Sequence, residues 1–208
     1  MIDIGSGYTI FPLWFIELGY GITIFDLPER KDRLELYKNL PYIKKNINKF
    51  NCIYGDIVTY SDFNRQYDFL TCVSVIEHIE NDITAFQNII KLLSKNGIAV
   101  LTFPVSGKYI EWRDSNYYLN LSKSFTPQSI RERWIKNNSD VEILNMEYYF
   151  YEEYLKVPGN GWTDFANSYN CFRRVEESEI VKHLPVEKIT GACEPFFQST
   201  CILTVKKK

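Results

Sequence analysis

The sequence predicts an α/β fold: one doubly wound sheet of mostly parallel strands, covered by helices on both faces. The main observation is that the first hundred residues alternate short apolar or β-branched segments with helix-like segments. The turns between these segments are short, which favours a parallel sheet with crossover helices. The length of 208 residues and the hydrophobic content of 45% suit a single domain with one sizeable core.

Five strands are expected in the first half of the chain and two in the second half. Residues 69–75 form an apolar run of strand length, which is typical of a parallel strand buried on both faces. Residues 22–25 are β-branched and end at Asp26, and the apolar run 98–103 is closed by Pro104. The other expected strands are Ile2–Ile4, 52–54, Val141–Tyr151 and 198–205.

Four helices are expected, at residues 11–18, 29–40, 82–93 and 128–137. In the second helix, Leu34 and Tyr37 stand three residues apart among charged side chains, which indicates an amphipathic helix. In the third helix, an apolar stripe recurs every three or four residues, with Asp82 as the expected N-cap and Gly97 as the expected stop. Thr126, followed by a proline, predicts the N-cap of the fourth helix.

The composition excludes several classes of protein. The net charge of −2 provides no basic face for a dedicated nucleic-acid-binding protein. No apolar run approaches the ~18–20 residues of a membrane span, and no basic segment at the N-terminus suggests a signal peptide. The scattered cysteines form no CxxC pair, so we expect reduced thiols, no zinc site and a cytoplasmic location. The five cysteines are Cys52, Cys72, Cys171, Cys193 and Cys201.

A glycine turn connects the first expected strand to the first expected helix. Residues 3–7 read DIGSG, with glycine at positions 5 and 7. Glycine lets the backbone approach a ligand closely, and the N-terminus of a helix offers unpaired N–H groups. Taken alone, the motif fits either a ligand site or an ordinary tight turn.

Two aspartates follow later strands at matching positions. Asp26 ends the second expected strand about twenty residues beyond the glycine turn, where α/β sheets place a carboxylate that accepts hydrogen bonds from ribose hydroxyls. Asp56 follows the third expected strand, a position that suits an adenine amino group. Alone, Asp26 could be a solvated loop residue and Asp56 a helix or turn cap. Together with the glycine turn, they favour a nucleoside-type cofactor site.

A dinucleotide site fits the same turn less well. The fingerprint G-x-G-x-x-G needs its third glycine at position 10, where this sequence has Ile10. A β-branched side chain cannot give the close helix–strand packing that this glycine allows. An NAD-linked oxidoreductase is therefore the weaker hypothesis.

The first half of the chain resembles the class I S-adenosylmethionine-dependent methyltransferases. The segment IDIGSG at residues 2–7 resembles the first motif of that family, and Asp26 and Asp56 match its ribose-side and adenine-side acids. Residues 67–79 (YDFLTCVSVIEHI) are similar to its fourth-strand signature. Residues 90–101 (IKLLSKNGIAVL) resemble the helix, glycine turn and fifth strand that follow. The likeness covers about residues 1–105.

The resemblance implies a single Rossmann-like domain with about seven strands, mostly parallel, whose last strand is antiparallel. It implies S-adenosyl-L-methionine as the cofactor, a cofactor-binding half at 1–105 and a substrate-side half at 106–208. Within the second half, residues 152–197 are poorly patterned and are expected to form an insert that is a lid or partly helical. The cofactor-binding residues that the resemblance implies are Asp3, Gly5, Ser6, Gly7, Asp26, Leu27, Asp56, Ile57, Ser74 and Val75.

His78 is the candidate general base. It follows the fourth expected strand, where cofactor and substrate should meet, and an imidazole titrates near neutral pH. The alternative is a structural role in packing or capping the next helix. Glu77 could bind substrate or, with His78, a divalent metal, but two ligands fall short of a complete site and no metal is expected. His183 lies in a charged stretch and is expected at the surface.

The acceptor is expected to be a small molecule that is methylated on oxygen or nitrogen. Aromatic residues at 109–118 and 148–154 could line its pocket, although core and lid packing is the alternative for each. No nucleic-acid or membrane partner is expected. A second hypothesis is a methyltransferase-like protein that binds without turnover. It is motivated by Thr9, where many members have a third glycine, and by the lack of helices before the first strand.

Overall fold

The computed structural model describes residues 1–7, 11–113, 121–151, 172–182 and 199–208. The strands in these ranges are β1 (Ile2–Ile4), β2 (Ile22–Asp26), β3 (Phe50–Tyr54), β4 (Tyr67–Val73), β5 (Leu93–Pro104), β6 (Ile110–Arg113), β7 (Leu121–Ser124), β8 (Val141–Tyr151), β9 (Phe172–Val175) and β10 (Ser199–Lys207). The helices are α1 (Phe11–Glu17), α2 (Lys31–Asn39), α3 (Pro41–Lys45), α4 (Asp82–Leu92), α5 (Pro127–Ile130) and α6 (Glu177–Ile180). Short 3₁₀ turns lie at Pro28–Arg30, Ile47–Lys49 and Ile76–His78.

Eight of these strands form one mixed sheet in the order β3-β2-β1-β4-β5-β10-β8-β9. The first five strands in this order are parallel to one another. β10 inserts antiparallel between β5 and β8, and β9 adds an antiparallel edge strand. The predicted Rossmann-like class with an antiparallel last strand is confirmed. The strand beyond the expected seven is β9, which lies inside the segment expected to be an insert.

The two faces of the sheet bury separate hydrophobic clusters. Ile22 and Ile24 pack in a cluster with residues of α1, α2 and α3. Phe25, on the other face of the same strand, belongs to a larger cluster that includes Phe86 of α4 and Trp134. Successive side chains of a strand point to opposite faces, so this division confirms the predicted cover of helices on both sides. None of the described helices is long and apolar enough to cross a membrane.

The observed bounds of α4 differ from the predicted 82–93 by one residue, but its predicted cap and stop residues were wrong. Asn81 is the N-cap, since its side chain accepts a hydrogen bond from the backbone N–H of Thr84 at 3.1 Å, whereas Asp82 is fully buried inside the first turn. The helix ends at Leu92, and β5 begins at the next residue. Gly97 lies within β5, where a Cβ atom would stand 2.9 Å from the carbonyl oxygen of Tyr67. Glycine is needed there for close strand approach and not as a helix stop.

The predicted start of the fourth helix is confirmed. Thr126 and Ser129 form a reciprocal capping box, with hydrogen bonds of 2.9 and 2.8 Å between side chain and backbone. After α5 the chain continues as a π-helical turn at Arg131–Ile135, which places the fully buried Trp134 against the sheet. The predicted helix at 128–137 is thus divided into an α-helical and a π-helical part.

The parallel pairing brings several strand ends to one edge of the sheet. Gly5 follows β1 and Ser74 follows β4, while β2 ends at Asp26, and Asp56 lies two residues beyond the end of β3. Backbone hydrogen bonds from Gly5 to Phe25 (2.7 Å) and from Gly55 to Asp26 (2.9 Å) connect these ends directly. Ligands of open α/β sheets bind at this edge.

Candidate active site

The glycine turn after β1 depends on glycine at two positions. Gly5 and Gly7 have φ angles of +70° and +54°, in the left-handed region that other residues rarely adopt. A Cβ atom on Gly5 would also clash with Cγ2 of Val75 and stand 2.7 Å from its Cγ1. The turn therefore packs directly on the chain that follows β4, which brings two of the predicted cofactor segments together.

Asp3 is a buried residue that stabilises this turn by hydrogen bonds. Its carboxylate accepts hydrogen bonds from the hydroxyls of Ser6 and Thr71, so it joins the turn to β4. Burial raises the pKa of Asp3 to about 6, against the opposing effect of the two hydroxyl hydrogen bonds. Asp3 was predicted among the cofactor-binding residues, and its described contacts are those of a residue that shapes the turn.

Asp26 lies between the glycine turn and the loop after β2. Its carboxylate oxygens accept hydrogen bonds from the backbone N–H groups of Gly7 (3.0 Å) and Leu27 (2.8 Å). Each carboxylate oxygen can accept more than one hydrogen bond, so the side chain keeps capacity for further donors. A ribose offers hydroxyl donors, and an acceptor-only carboxylate at this strand end fits such a group.

The predicted adenine-side residues lie one strand further along. Asp56 is exposed, and its carboxylate accepts a hydrogen bond from the backbone N–H of Val58 at 2.8 Å, so it caps a turn. Ile57 is buried, and its carbonyl oxygen accepts a hydrogen bond from Asn88 of α4 at 2.8 Å. The exposed carboxylate is thus held at the edge by a turn that is itself anchored to α4.

The loop after β4 carries the remaining predicted residues. Ser74 has a φ angle of +52°, and its N–H bonds the carbonyl of Thr102 at 3.0 Å. Val75 then packs against Gly5, and the 3₁₀ turn at Ile76–His78 follows at once. This arrangement carries Glu77 and His78 to the same edge as the glycine turn.

Glu77 is an unusually buried acid. Its side chain is 3% exposed, and Oε2 has no hydrogen-bond partner among the described residues. Burial raises the pKa of Glu77 to about 8, so the carboxyl group is mostly protonated at neutral pH. Its Oε1 lies 3.8 Å from Nε2 of His78.

His78 is oriented by a backbone carbonyl. Its Nδ1 lies 2.7 Å from the carbonyl oxygen of Leu121 in β7, and its side chain is 18% exposed. A carbonyl oxygen can only accept, so the hydrogen-bond network assigns the proton of the neutral ring to Nδ1. In this tautomer the lone pair of the ring lies on Nε2.

A buried charged cluster beside His78 was not predicted. Asp82 accepts hydrogen bonds from Lys123, Arg133 and Trp134, and the lysine side chain is 1% exposed. Asp82 was interpreted as a helix cap, and Lys123 lies in the segment LSKS, whose composition resembles a solvated strand. The cluster joins residues 41 to 52 positions apart, so no local pattern reveals it.

The structure also has a polar cleft that the sequence did not predict. The polar cleft lined by Glu147, Arg174 and Glu177 is on β8, β9 and α6, several strands away from the glycine turn. Among the described residues, no group of three or more metal-ligating side chains could hold a metal ion. Thr9, Ile10, Tyr117, residues 152–154, Cys171, His183 and Cys193 lie outside the described residues.

The fold and the edge formed by the carboxyl ends of β1 to β4 together define a class of protein. These are Rossmann-like α/β proteins with a glycine turn after the first strand. The family model described as "Methyltransferase domain" matches residues 1–142. The chain belongs to this methyltransferase domain family.

A curated relative supports the same family. The ubiquinone biosynthesis O-methyltransferase of Rickettsia canadensis (strain McKiel) is 24% identical over 164 residues, which cover 73% of this chain and 66% of that protein. The match thus spans just under two thirds of the relative's length.

Two solved structures share the fold. The Burkholderia thailandensis 1,6-didemethyltoxoflavin-N1-methyltransferase, solved with bound 1,6-didemethyltoxoflavin and S-adenosylhomocysteine, has a TM-score of 0.60 at 14% identity, covering 100% of this chain and 70% of that chain. The O-methyltransferase from a trans-AT PKS multienzyme of Brevibacillus brevis, in complex with S-adenosyl-L-homocysteine, has a TM-score of 0.59 at 18% identity, covering 99% and 65%. At these identities the likeness describes the fold.

Proposed function

We propose that the protein binds S-adenosyl-L-methionine at the carboxyl edge of β1–β4 and methylates a hydroxyl oxygen of a small molecule. The observation that supports this most is the contact of Asp26 with the glycine turn, on which the chain that leads to His78 packs through Val75. Methylation of nitrogen is the close variant of the same proposal. The curated relative, an O-methyltransferase by name, agrees with an oxygen acceptor.

The predicted cofactor-binding residues would have different roles in binding S-adenosyl-L-methionine. Asp26 would accept hydrogen bonds from the ribose hydroxyls, and Asp56 would face the adenine amino group. Gly5, Ser6 and Gly7 would let the backbone approach the cofactor, with Leu27, Ile57, Ser74 and Val75 beside it. Asp3 would contribute by holding Ser6 in place. When bound, S-adenosyl-L-methionine supplies an electrophilic methyl group on its sulfonium.

His78 would act on the acceptor. An alcohol or phenol is a weak nucleophile until its proton leaves, and Nε2 of His78 would accept that proton as the oxygen becomes methylated. A neutral amine needs less help, which is why a fixed imidazole base favours a hydroxyl acceptor. Glu77 is protonated at neutral pH, so it does not compete with His78 as a second carboxylate base.

The test is a methyl-transfer assay with a panel of small phenols, alcohols and amines, read out as S-adenosylhomocysteine by mass spectrometry. We expect turnover with at least one hydroxyl acceptor and a loss of kcat of about 10²- to 10⁴-fold in His78→Gln. His183→Gln, which changes the other of the two histidines, is the matched control and should keep its activity.

Two results would contradict the proposal. Unchanged kcat in His78→Gln would remove the histidine from the reaction. Binding of S-adenosylmethionine without turnover across the panel would favour the hypothesis of a binding protein without catalysis.

A further inference from the structure

A buried lysine attaches strand β7 to the turn that carries His78. The ammonium of Lys123 donates hydrogen bonds of 2.7 Å to the carbonyl oxygens of Ile79 and Glu80 and to Oδ1 of Asp82. These three acceptors use all three donors of a lysine. The side chain is 1% exposed, so moving β7 away from residues 79–82 would break the three hydrogen bonds of a buried ammonium.

Asp82 is the ionised partner of the buried Lys123 ammonium. It also accepts hydrogen bonds from Nε and a terminal nitrogen of Arg133 and from Nε1 of Trp134, at 2.7 to 3.1 Å. Burial alone would raise the pKa of Asp82, but the hydrogen bonds from Arg133, Lys123 and Trp134 outweigh it, and the pKa is lowered. An ionised Asp82 provides the counter-charge that a buried ammonium needs.

The same strand bonds His78 two residues earlier. The Leu121 carbonyl lies 2.7 Å from Nδ1 of His78, and Lys123 bonds the carbonyls of the two residues that follow His78. Three consecutive residues, 78–80, are therefore bonded to two residues of β7, Leu121 and Lys123. The position of the Leu121 carbonyl depends on where Lys123 fixes the strand.

We propose that Lys123 is a positioning residue that holds the Leu121 carbonyl against His78 and so keeps the proton of the neutral imidazole on Nδ1. This inference rests on the proposed function for its catalytic consequence, because only a base at Nε2 profits from the fixed tautomer. Lys123 itself touches neither cofactor nor substrate. It acts through the backbone of β7.

The direct test is ¹⁵N NMR of the imidazole nitrogens in the full-length chain, at a pH at which the rings are neutral. The chain has two histidines, so spectra of His183→Gln assign the signals of His78. We expect the Nδ1–H tautomer to dominate in the wild type. In Lys123→Met we expect the His78 signals to shift toward the Nε2–H tautomer, because β7 is no longer held to the turn.

Matched variants separate this role from a general loss of charge or stability. Lys95→Met removes an exposed lysine from β5 and should leave the His78 signals unchanged. Lys123→Gln, whose amide has two donors instead of three, serves if Lys123→Met does not fold. It should shift the tautomer in the same direction but less.

Kinetics provide the second readout. With any acceptor that the wild type methylates, Lys123→Met or Lys123→Gln should lower kcat about 10- to 100-fold, while the Kd for S-adenosylhomocysteine stays within about twofold. A role confined to stability would lower the Tm without changing the tautomer of the folded protein.

The inference is overturned if the folded Lys123 variant keeps the wild-type Nδ1–H signals, or if wild-type His78 is protonated on Nε2. Neither result depends on a cofactor or acceptor. Failure of the proposed function would be seen separately, as a lack of cofactor binding or turnover in the wild type.

Discussion

At the scale of single residues, Asp3 and Glu77 are both acids buried at the candidate site. Asp3 has two hydroxyl donors that reduce the effect of burial, and its pKa rises only to about 6. Glu77 leaves one carboxyl oxygen without a hydrogen-bond partner among the described residues, and its pKa rises to about 8. The difference shows how hydrogen bonds to the charged form decide the titration of a buried acid.

Replacing Glu77 by glutamine should make the fold less sensitive to alkaline pH. The folded pKa of about 8 lies above the ordinary glutamate value of 4.5, so the neutral carboxyl stabilises the fold below pH 4.5 and this contribution is lost as pH rises through 8. We expect Glu77→Gln to gain roughly 2–5 kcal/mol relative to wild type between pH 5 and pH 9. Urea unfolding at both pH values measures the difference.

The control for this prediction is Glu29→Gln, which changes an exposed acid in the loop after β2. Its difference from wild type should be the same at both pH values. If Glu77→Gln also follows wild type at both pH values, Glu77 is not a buried neutral acid in the folded protein.

The sequence identified the positions of Gly5, Asp26 and His78 at strand ends, because each belongs to a local motif at a fixed distance from a strand. It could not show that Asp3 braces the turn through Thr71, or that Lys123 is buried. Those roles depend on partners brought near by tertiary packing. A lysine between two serines resembles a solvated residue until its three acceptors are known.

At the scale of elements, two adjacent residues at the beginning of α4 have different roles: one caps the helix locally, and the other bonds to distant parts of the chain. Asn81 caps the helix through one backbone hydrogen bond, whereas Asp82 bonds side chains from β7 and from the π-helical turn. The sequence predicted the aspartate as the cap, since both residue types are common caps. Asp82 does not act as the cap because its carboxylate is buried and is already bonded to donors from other elements.

Substitutions at these two adjacent positions should differ strongly. Asn81→Ala removes a cap and should destabilise the fold by about 0.5–2 kcal/mol. Asp82→Asn leaves Lys123 buried without its counter-charge and should destabilise it by roughly 3–5 kcal/mol. Chemical denaturation of both variants checks the order, and equal effects would show that Asp82 acts only as part of the helix start.

The start of β5 at Leu93, five residues before the predicted strand at 98–103, shows why this boundary was missed. Gly97 is a strong local stop signal, yet the strand begins at Leu93, which pairs with Tyr67 of β4. A register shift in β4 and the positive φ of Asn96 (+64°) accommodate the early start. Pairing with a neighbouring strand decided this boundary, and that information is not local.

At the scale of the whole molecule, the parallel half of the sheet could be predicted and the second half only in part. Strand–helix alternation determines β1 to β5, because each crossover returns the chain to the same edge. The places of β8, β9 and β10 depend on pairings between residues far apart, such as Leu203 with Leu101 and with Met146. Strands β6 and β7 pair antiparallel in a separate sheet, and the sequence predicted neither of them, although the Leu121 carbonyl of β7 bonds His78.

We propose that the edge formed by β1 to β4 binds S-adenosyl-L-methionine through Asp26. Isothermal titration calorimetry with S-adenosylhomocysteine tests it most directly, with Asp32→Ala, an exposed acid in the first turn of α2, as the control. We predict binding by the wild type and the control, and a loss of about 1–3 kcal/mol in Asp26→Ala. No binding by the wild type would show that this edge is not a cofactor site, and equal affinity in Asp26→Ala would show that Asp26 does not bind the cofactor.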